Sequence, residues 1–244
     1  MAGFWERWRR RRLSAHPFCT ALVAAAGSST RMGENKQLLL VGGVPVLIRS
    51  LQALCAAERV DEIVVAVRAE DLLTVAELCQ SYGLTQGIKI VEGGASRAES
   101  VLCAAREASA QAELLAVHDG ARPLVTPALI DRVIACAERS GAAAPAIAVK
   151  DTVKEAENGI VRRTPPRETL FAVQTPQVFD ADLLRAALQA AVEQKLPVTD
   201  DCSAVERLGK EICLVEGEET NGKLTTPLDL LVAEAVLRQR EEAL

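Results

Sequence analysis

Arg31 and Lys36 follow an apolar run, Ala21 to Ala26, that reads as a short buried strand stopped by Gly27. Between them stand Ser28, Ser29, Thr30 and Gly33, none with a large side chain. A strand that ends at glycine and opens into small residues presents unpaired backbone N–H groups, a concavity suited to phosphate. Arg31 adds a planar, bidentate cation and Lys36 a compact point charge. Further on, Asp119 closes a second apolar run, Leu114 to Val117, and is followed by Gly120 and Arg122. A carboxylate past a central strand suits a hard divalent cation, and Mg²⁺ needs only one or two beside water and substrate phosphates. In isolation such an aspartate is usually a turn residue or helix cap, but Thr126-Pro127 offers a separate cap and Gly120 and Arg122 follow Asp119, which tells against that reading. Polyphosphate handling is the chemistry these residues share; the bland alternative is a surface loop with solvated charges. Neither common phosphate loop is present. The dinucleotide fingerprint needs three spaced glycines and the Walker loop needs Gly-Lys-Ser/Thr, whereas Lys36 precedes Gln37. The missing glycines disfavour a nicotinamide-dependent oxidoreductase.

Such groups need a frame, and the chain supplies an alternating one. The spacing predicts a helix from Pro45 to about Glu58, a strand Ile63 to Val67, a helix Asp71 to Tyr82 and a strand Ile88 to Val91. Gly93-Gly94-Ala95-Ser96 then opens a helix reaching about Ala108, with Ser96 and Glu99 at capping-box spacing. Leu114 to Val117 is a strand, Thr126 to Ser140 a helix and Ala142 to Val149 a strand. This rhythm predicts a doubly wound, mostly parallel α/β sheet, with ligands at the carboxyl ends of the strands. It breaks at Lys150 to Arg163, two alternating runs joined by Asn158-Gly159, a hairpin signal. A lone hairpin is marginal in water, so it is expected to lie against something: a partner subunit, or its own subunit as a lid. Asp180 and Thr199-Asp200-Asp201 read as caps of two later helices, Ile212 to Val215 as a strand, and Thr226-Pro227 as the start of the last helix.

With 244 residues and 49% hydrophobic content, the chain can bury a full core as one large domain. A net charge of −5 gives no global field for nucleic acid or an anionic membrane. Seven cysteines, an odd number with no C-x-x-C pair, sit among apolar neighbours and point to a reducing, cytoplasmic setting without disulfides or zinc. Residues 1–17 hold five arginines and one glutamate and read as a disordered basic tail ahead of a domain spanning 18–244. That cluster before an alanine-rich run imitates a secretory signal. Cleavage there would destroy the first strand of the phosphate loop, so the tail is not read as one.

The stretch Ala25-Ala26-Gly27 with Arg31, Met32 and then Lys36 resembles the A-A-G-x-x-x-R-M signature of sugar-phosphate nucleotidyltransferases. His118-Asp119-Gly120-Ala121-Arg122-Pro123 narrows the match, being similar to the H-D-x-A-R-P motif of the 2-C-methyl-D-erythritol 4-phosphate cytidylyltransferases. The resemblance spans about Cys19 to Ala243 and implies a Rossmann-like nucleotidyltransferase fold with an exchanged dimerisation arm at about 150–170. It implies transfer of a cytidylyl group from CTP to a sugar-alcohol phosphate, with Mg²⁺ on Asp119, in isoprenoid synthesis. By the same resemblance Arg31, Lys36 and Lys223 are the catalytic cations, and Ala25, Ala26, Gly27, Gly94, Ala95, Ser100 and Asp119 hold CTP. Arg122, Thr152, Arg167, Thr175 and Thr199 are assigned to the acceptor, helix capping remaining an equal account of Thr175 and Thr199. His118 is read as structural, because a neutral imidazole has no evident task in phosphate attack. No second domain is expected after Leu244. Two alternatives stand beside this reading: a pentitol-phosphate cytidylyltransferase, and a non-catalytic nucleotide-binding protein of the same fold.

Overall fold

The computed structural model describes residues 16–27 and 37–242. Arg31, Lys36 and residues 1–15 of the basic tail therefore lie outside the described residues. The strands are β1 (Cys19–Ala24), β2 (Leu40–Val41), β3 (Val44–Pro45), β4 (Glu62–Val67), β5 (Ile88–Glu92), β6 (Leu114–Asp119), β7 (Ala142–Ala148), β8 (Glu155–Glu157), β9 (Ile160–Arg163), β10 (Phe171–Val173), β11 (Gln177–Asp180) and β12 (Cys213–Glu216). The helices are α1 (Val46–Ala56), α2 (Leu72–Ser81), α3 (Arg97–Glu107), α4 (Pro127–Ser140), α5 (Ala181–Glu193), α6 (Asp201–Glu206) and α7 (Pro227–Glu242).

Strands β6, β1, β4 and β5 pair side by side in parallel, giving the expected sheet. β1, β4 and β6 read as largely continuous apolar runs because helices cover both faces. The period of two assigns each side chain to a layer. Ala21, Val23, Ile63, Val65 and Ala116 face α1, α2 and α4, while Leu22, Val64, Ala66, Leu115 and Val117 face α3, α5 and α6. The predicted caps form: Thr126 Oγ1 accepts from the Leu129 N–H at 3.1 Å, and Asp180 accepts from Asp182 and Leu183 at 3.0 and 3.1 Å. Asp200, rather than Thr199 or Asp201, caps α6 through a capping box with Ser203.

The sheet departs from the predicted rhythm in one place. Gln174 to Gln177 is not a plain approach to a helix but the junction of β10 and β11, which run antiparallel to β7. β11 inserts between β7 and β6, and β12 takes the opposite edge of β7. Short strands broken by a polar stretch and Pro176 carry too little periodicity to be read from sequence. β8 and β9 form the predicted hairpin around Asn158 (φ 51°) and Gly159 (φ 77°), both in the left-handed region that a tight hairpin turn demands. Every residue of its two strands is exposed.

Candidate active site

Chain order reverses between β1 and β6: from β1 the sheet grows through β4 to β5, then returns to place β6 on the other edge of β1. Such a switch point opens a crevice at the carboxyl ends of the two strands. In register, Ala24 of β1 lies opposite Asp119 of β6, so Gly27, where the predicted loop begins, and the predicted carboxylate both border that crevice. A cavity of about 530 Å³ opens there, lined among others by Ala26, Gly27, Gly94, Ala95, Ser100, Asp119 and Lys223.

The glycine turn before α3 forms one wall. A Cβ on Gly93 would stand 2.7 Å from the Ala26 Cβ and 2.8 Å from Ser100 Oγ, so only glycine lets the turn approach the β1 loop. Ser100 is buried, and its hydroxyl accepts from the Gly94 N–H at 3.1 Å while donating to the Ser96 carbonyl at 2.8 Å. Ser96 caps α3, accepting from the Glu99 N–H. The Glu99 carboxylate takes the Ala95 N–H at 2.7 Å, one residue earlier than a capping box would place it.

Asp119 is the floor, only 6% exposed, and three cations converge on it. Lys223 Nζ lies 2.9 Å from Oδ2, Arg97 Nε 3.4 Å from Oδ1 and Arg122 Nε 3.6 Å from Oδ2. Burial alone pushes the Asp119 carboxyl up, but Arg97, Lys223 and Arg122 outweigh it and hold the group well below the usual carboxylate range. The surrounding cations thus favour its anionic form.

Each cation is itself held. The Arg97 guanidinium bridges to Asp201, Nη2 to Oδ2 at 2.7 Å, and Asp201 is fully buried. Burial, Asp119 and Asp200 raise the Asp201 carboxyl, against Arg97, which lowers it. Arg122 Nη1 donates to the Asn221 carbonyl at 2.7 Å, which ties the 221–224 segment to the turn after β6. Asn221 Nδ2 donates to the Thr175 carbonyl at 2.9 Å and the Leu224 N–H to the Ala121 carbonyl at 2.9 Å. Lys223 is thus gripped on both flanks.

Behind Asp119, Thr175 Oγ1 accepts from the Asp119 N–H at 3.1 Å and meets His118 Nδ1 at 3.0 Å. His118 is completely buried, and burial pulls its imidazole down to about 4. A neutral ring has one N–H, and the Arg122 carbonyl 3.4 Å from Nε2 can only accept. Nε2 therefore carries the proton and Nδ1 accepts from Thr175. The pair fixes the end of β6, in keeping with the structural reading of His118.

The structure brings Ala26, Gly27, Gly94, Ala95, Ser100, Asp119 and Lys223 together around the cavity, with Ala25 buried behind it and Arg122 packed on Asp119. Thr175 lies beneath the floor. Thr199 is exposed and its N–H donates to Ser203 Oγ at 3.1 Å. Thr152 and Arg167 are exposed at the root and exit of the hairpin, where Arg167 Nη1 donates to the Lys150 carbonyl at 3.0 Å, away from the cavity of this single chain. Sequence reasoning missed Arg97 and Asp201. A signal existed for each. A cation in the first turn of a helix opposes the helix dipole, which asks for another reason to be there. Asp201 sits at i−3 and i−4 from Ala204 and Val205, which puts a carboxylate on the inward face of α6.

A doubly wound sheet whose switch-point crevice holds a cation-ringed carboxylate beside a glycine turn defines an α/β nucleotidyltransferase. The family model for 2-C-methyl-D-erythritol 4-phosphate cytidylyltransferase matches residues 19–239, and the chain belongs to that family. It is 42% identical over 225 residues to the 2-C-methyl-D-erythritol 4-phosphate cytidylyltransferase of Bacillus cereus, covering 91% of this chain and 99% of that one. Its Geobacter metallireducens counterpart is 40% identical over 226 residues, covering 90% and 97%. Among solved structures, the 4-diphosphocytidyl-2C-methyl-D-erythritol synthase of Anaerococcus prevotii is similar with a TM-score of 0.82 at 31% identity, covering 91% and 96%. The Thermus thermophilus cytidylyltransferase gives 0.74 at 38% identity, covering 91% and 99%.

Proposed function

We propose that the chain transfers the cytidylyl group of CTP to 2-C-methyl-D-erythritol 4-phosphate, releasing pyrophosphate, as a step of non-mevalonate isoprenoid synthesis. The observation that carries this reading is the convergence of Lys223, Arg97 and Arg122 on buried Asp119 at the β1/β6 crevice. The acceptor phosphate is already an anion, so the reaction needs no general base. The obstacle is bringing two polyanions together and stabilising charge at the α-phosphorus as it is attacked in line with the leaving pyrophosphate. Catalysis is then positioning plus electrostatics. Gly94, Ala95 and Ser100 hold the nucleoside against the glycine turn. Arg31 and Lys36, on the loop leaving Gly27, hold the triphosphate. Lys223 exchanges its contact with Asp119 for the α-phosphate, and Arg97 keeps the carboxylate in place from the other side.

Asp119 also suits a divalent cation. It is ionised and lines the cavity, and among the described residues no cluster of three or more histidine, cysteine or acidic groups forms a closed cage. One carboxylate is the donor set of Mg²⁺ that arrives with nucleotide phosphates and keeps its waters. Bound there, Mg²⁺ would supply Lewis-acid polarisation and a template for the phosphates.

The acceptor end belongs to a homodimer in which the β8–β9 arm crosses to the partner. Its support is that the hairpin is wholly exposed, with Ile160 62% and Val161 54% accessible, and a lone hairpin of this kind is marginal in water. Two-fold exchange of identical arms covers both copies and closes the assembly at two. Thr152 and Arg167 then approach the partner's cavity, with Arg167 as a bidentate fork for the acceptor phosphate. A pyrophosphate-release assay tests the reading by crossing CTP and UTP with methylerythritol phosphate and ribitol phosphate, with and without Mg²⁺. Release is expected with CTP, methylerythritol phosphate and Mg²⁺ together. Preference for ribitol phosphate would replace the acceptor, and silence in every arm would remove the activity.

A further inference from the structure

Far from the cavity, Cys136 in the third turn of α4 and Cys213 at the start of β12 bring their sulfurs to 3.2 Å, although 77 residues separate them in sequence. Among the described residues β12 pairs only with β7, so it is an edge strand there, and Cys213 is the one exposed cysteine of the seven. Cys136 beside it is half-buried. Cys19, Cys79 and Cys202 are buried. The helix and the edge strand are already joined at the other end of the same face. Arg132 Nη2 donates to the Glu216 carbonyl at 3.1 Å, and Thr126 Oγ1 donates to Glu218 Oε1 at 2.6 Å. The pair thus sits where two elements are held in fixed relation, with one sulfur open to solvent and the other directly behind it.

We infer that Cys136 and Cys213 form an oxidisable dithiol, a modification site at which a peroxide or a small disulfide closes an intramolecular disulfide between α4 and β12. With hydrogen peroxide, the exposed Cys213 thiolate attacks one oxygen, the O–O bond breaks, hydroxide leaves and Cys213 becomes a sulfenic acid. The Cys136 sulfur attacks that sulfur, the S–O bond breaks, the S–S bond forms and water departs with the Cys136 proton. Two thiols lose two electrons in all, and one peroxide becomes two waters. The resolving sulfur is already in contact, so ring closure outruns further oxidation of Cys213. The bond would close a long loop and restrain the unfolded chain, so oxidation raises thermal stability.

The test treats the full chain with stoichiometric hydrogen peroxide, blocks free thiols with iodoacetamide and maps tryptic peptides without reduction. The expected product joins peptides 133–139 and 211–223 with the loss of two hydrogens, together with a Tm raised by about 5 °C that dithiothreitol reverses. Cys136→Ser should leave Cys213 as a sulfenic acid trapped by dimedone, and Cys213→Ser should leave Cys136 reduced. Full alkylation of both cysteines after peroxide, or a disulfide joining a different pair, overturns the inference.

Discussion

Replacing Arg97 and Asp201 singly and together tests the electrostatics of the site most sharply, because a part-exposed cation there neutralises a buried carboxylate and neither residue was read from the sequence. Asp201 is completely buried, with one oxygen 2.7 Å from Arg97 and the other without a hydrogen-bond partner among the described residues. Arg97→Met keeps most of the side-chain volume but leaves Asp201 facing Asp119 and Asp200 with no cation between. Breaking a buried pair from one side costs about 3–5 kcal/mol. Asp201 is already raised by burial, so it takes up a proton instead of staying charged, and the lower end, about 3 kcal/mol, is expected. Asp201→Asn leaves Arg97 a second partner in Asp119 and should cost less, about 2 kcal/mol. In the double variant neither charge is stranded, so its cost should not exceed that of Arg97→Met. The coupling is then about 2 kcal/mol, read from urea unfolding of the four proteins. Additive costs, agreeing within about 0.5 kcal/mol, would refute the argument that Asp201 exists to hold Arg97.

Other outcomes follow from the same geometry. Lys223→Ala should lower kcat/KM on the order of a hundredfold with little change in Tm, since the lysine side chain is 37% exposed; wild-type turnover would remove it from the reaction. His118 has its folded pKa depressed to about 4 from an ordinary 6.5, so its contribution to stability is present above 6.5 and lost as pH falls towards 4. That loss is about 3 kcal/mol across the window, and His118→Gln should flatten it; parallel wild-type and variant curves from pH 7 to 4 would contradict the assignment. For the arm, Arg167→Ala and Lys36→Ala chains, each inactive, should recover activity when mixed. One site of each heterodimer collects both defects and the other is intact, and no recovery after proven subunit exchange would make the hairpin a lid.

Much of this architecture is legible in the residues, for physical reasons. β1, β4 and β6 are continuous apolar runs because both sheet faces are covered, and that pattern survives without any partner in view. Thr126, Asp180 and Asp200 cap helices by local bonds that short-range sequence carries. Asp119 and Lys223 were legible through motifs, and the fold supplies the reason they meet: the 221–224 segment is tied to the turn after β6. β10 and β11 were not legible, because three- and four-residue strands flanking Pro176 owe their conformation to β7 and β6. The Arg97–Asp201 pair was not either, since 104 residues separate its members and only the packing of α6 beside α3 unites them.

The account's central claim is that this crevice moves the cytidylyl group of CTP, α-phosphorus included, onto an acceptor phosphate. The most direct measurement incubates the chain and Mg²⁺ with methylerythritol phosphate and CTP labelled at the α-phosphorus, then separates the products. Label should pass entirely into the CDP-linked product, with unlabelled pyrophosphate released in equal amount. Label recovered as CMP would show transfer to water, and label remaining in CTP would show binding without chemistry; either result contradicts the account.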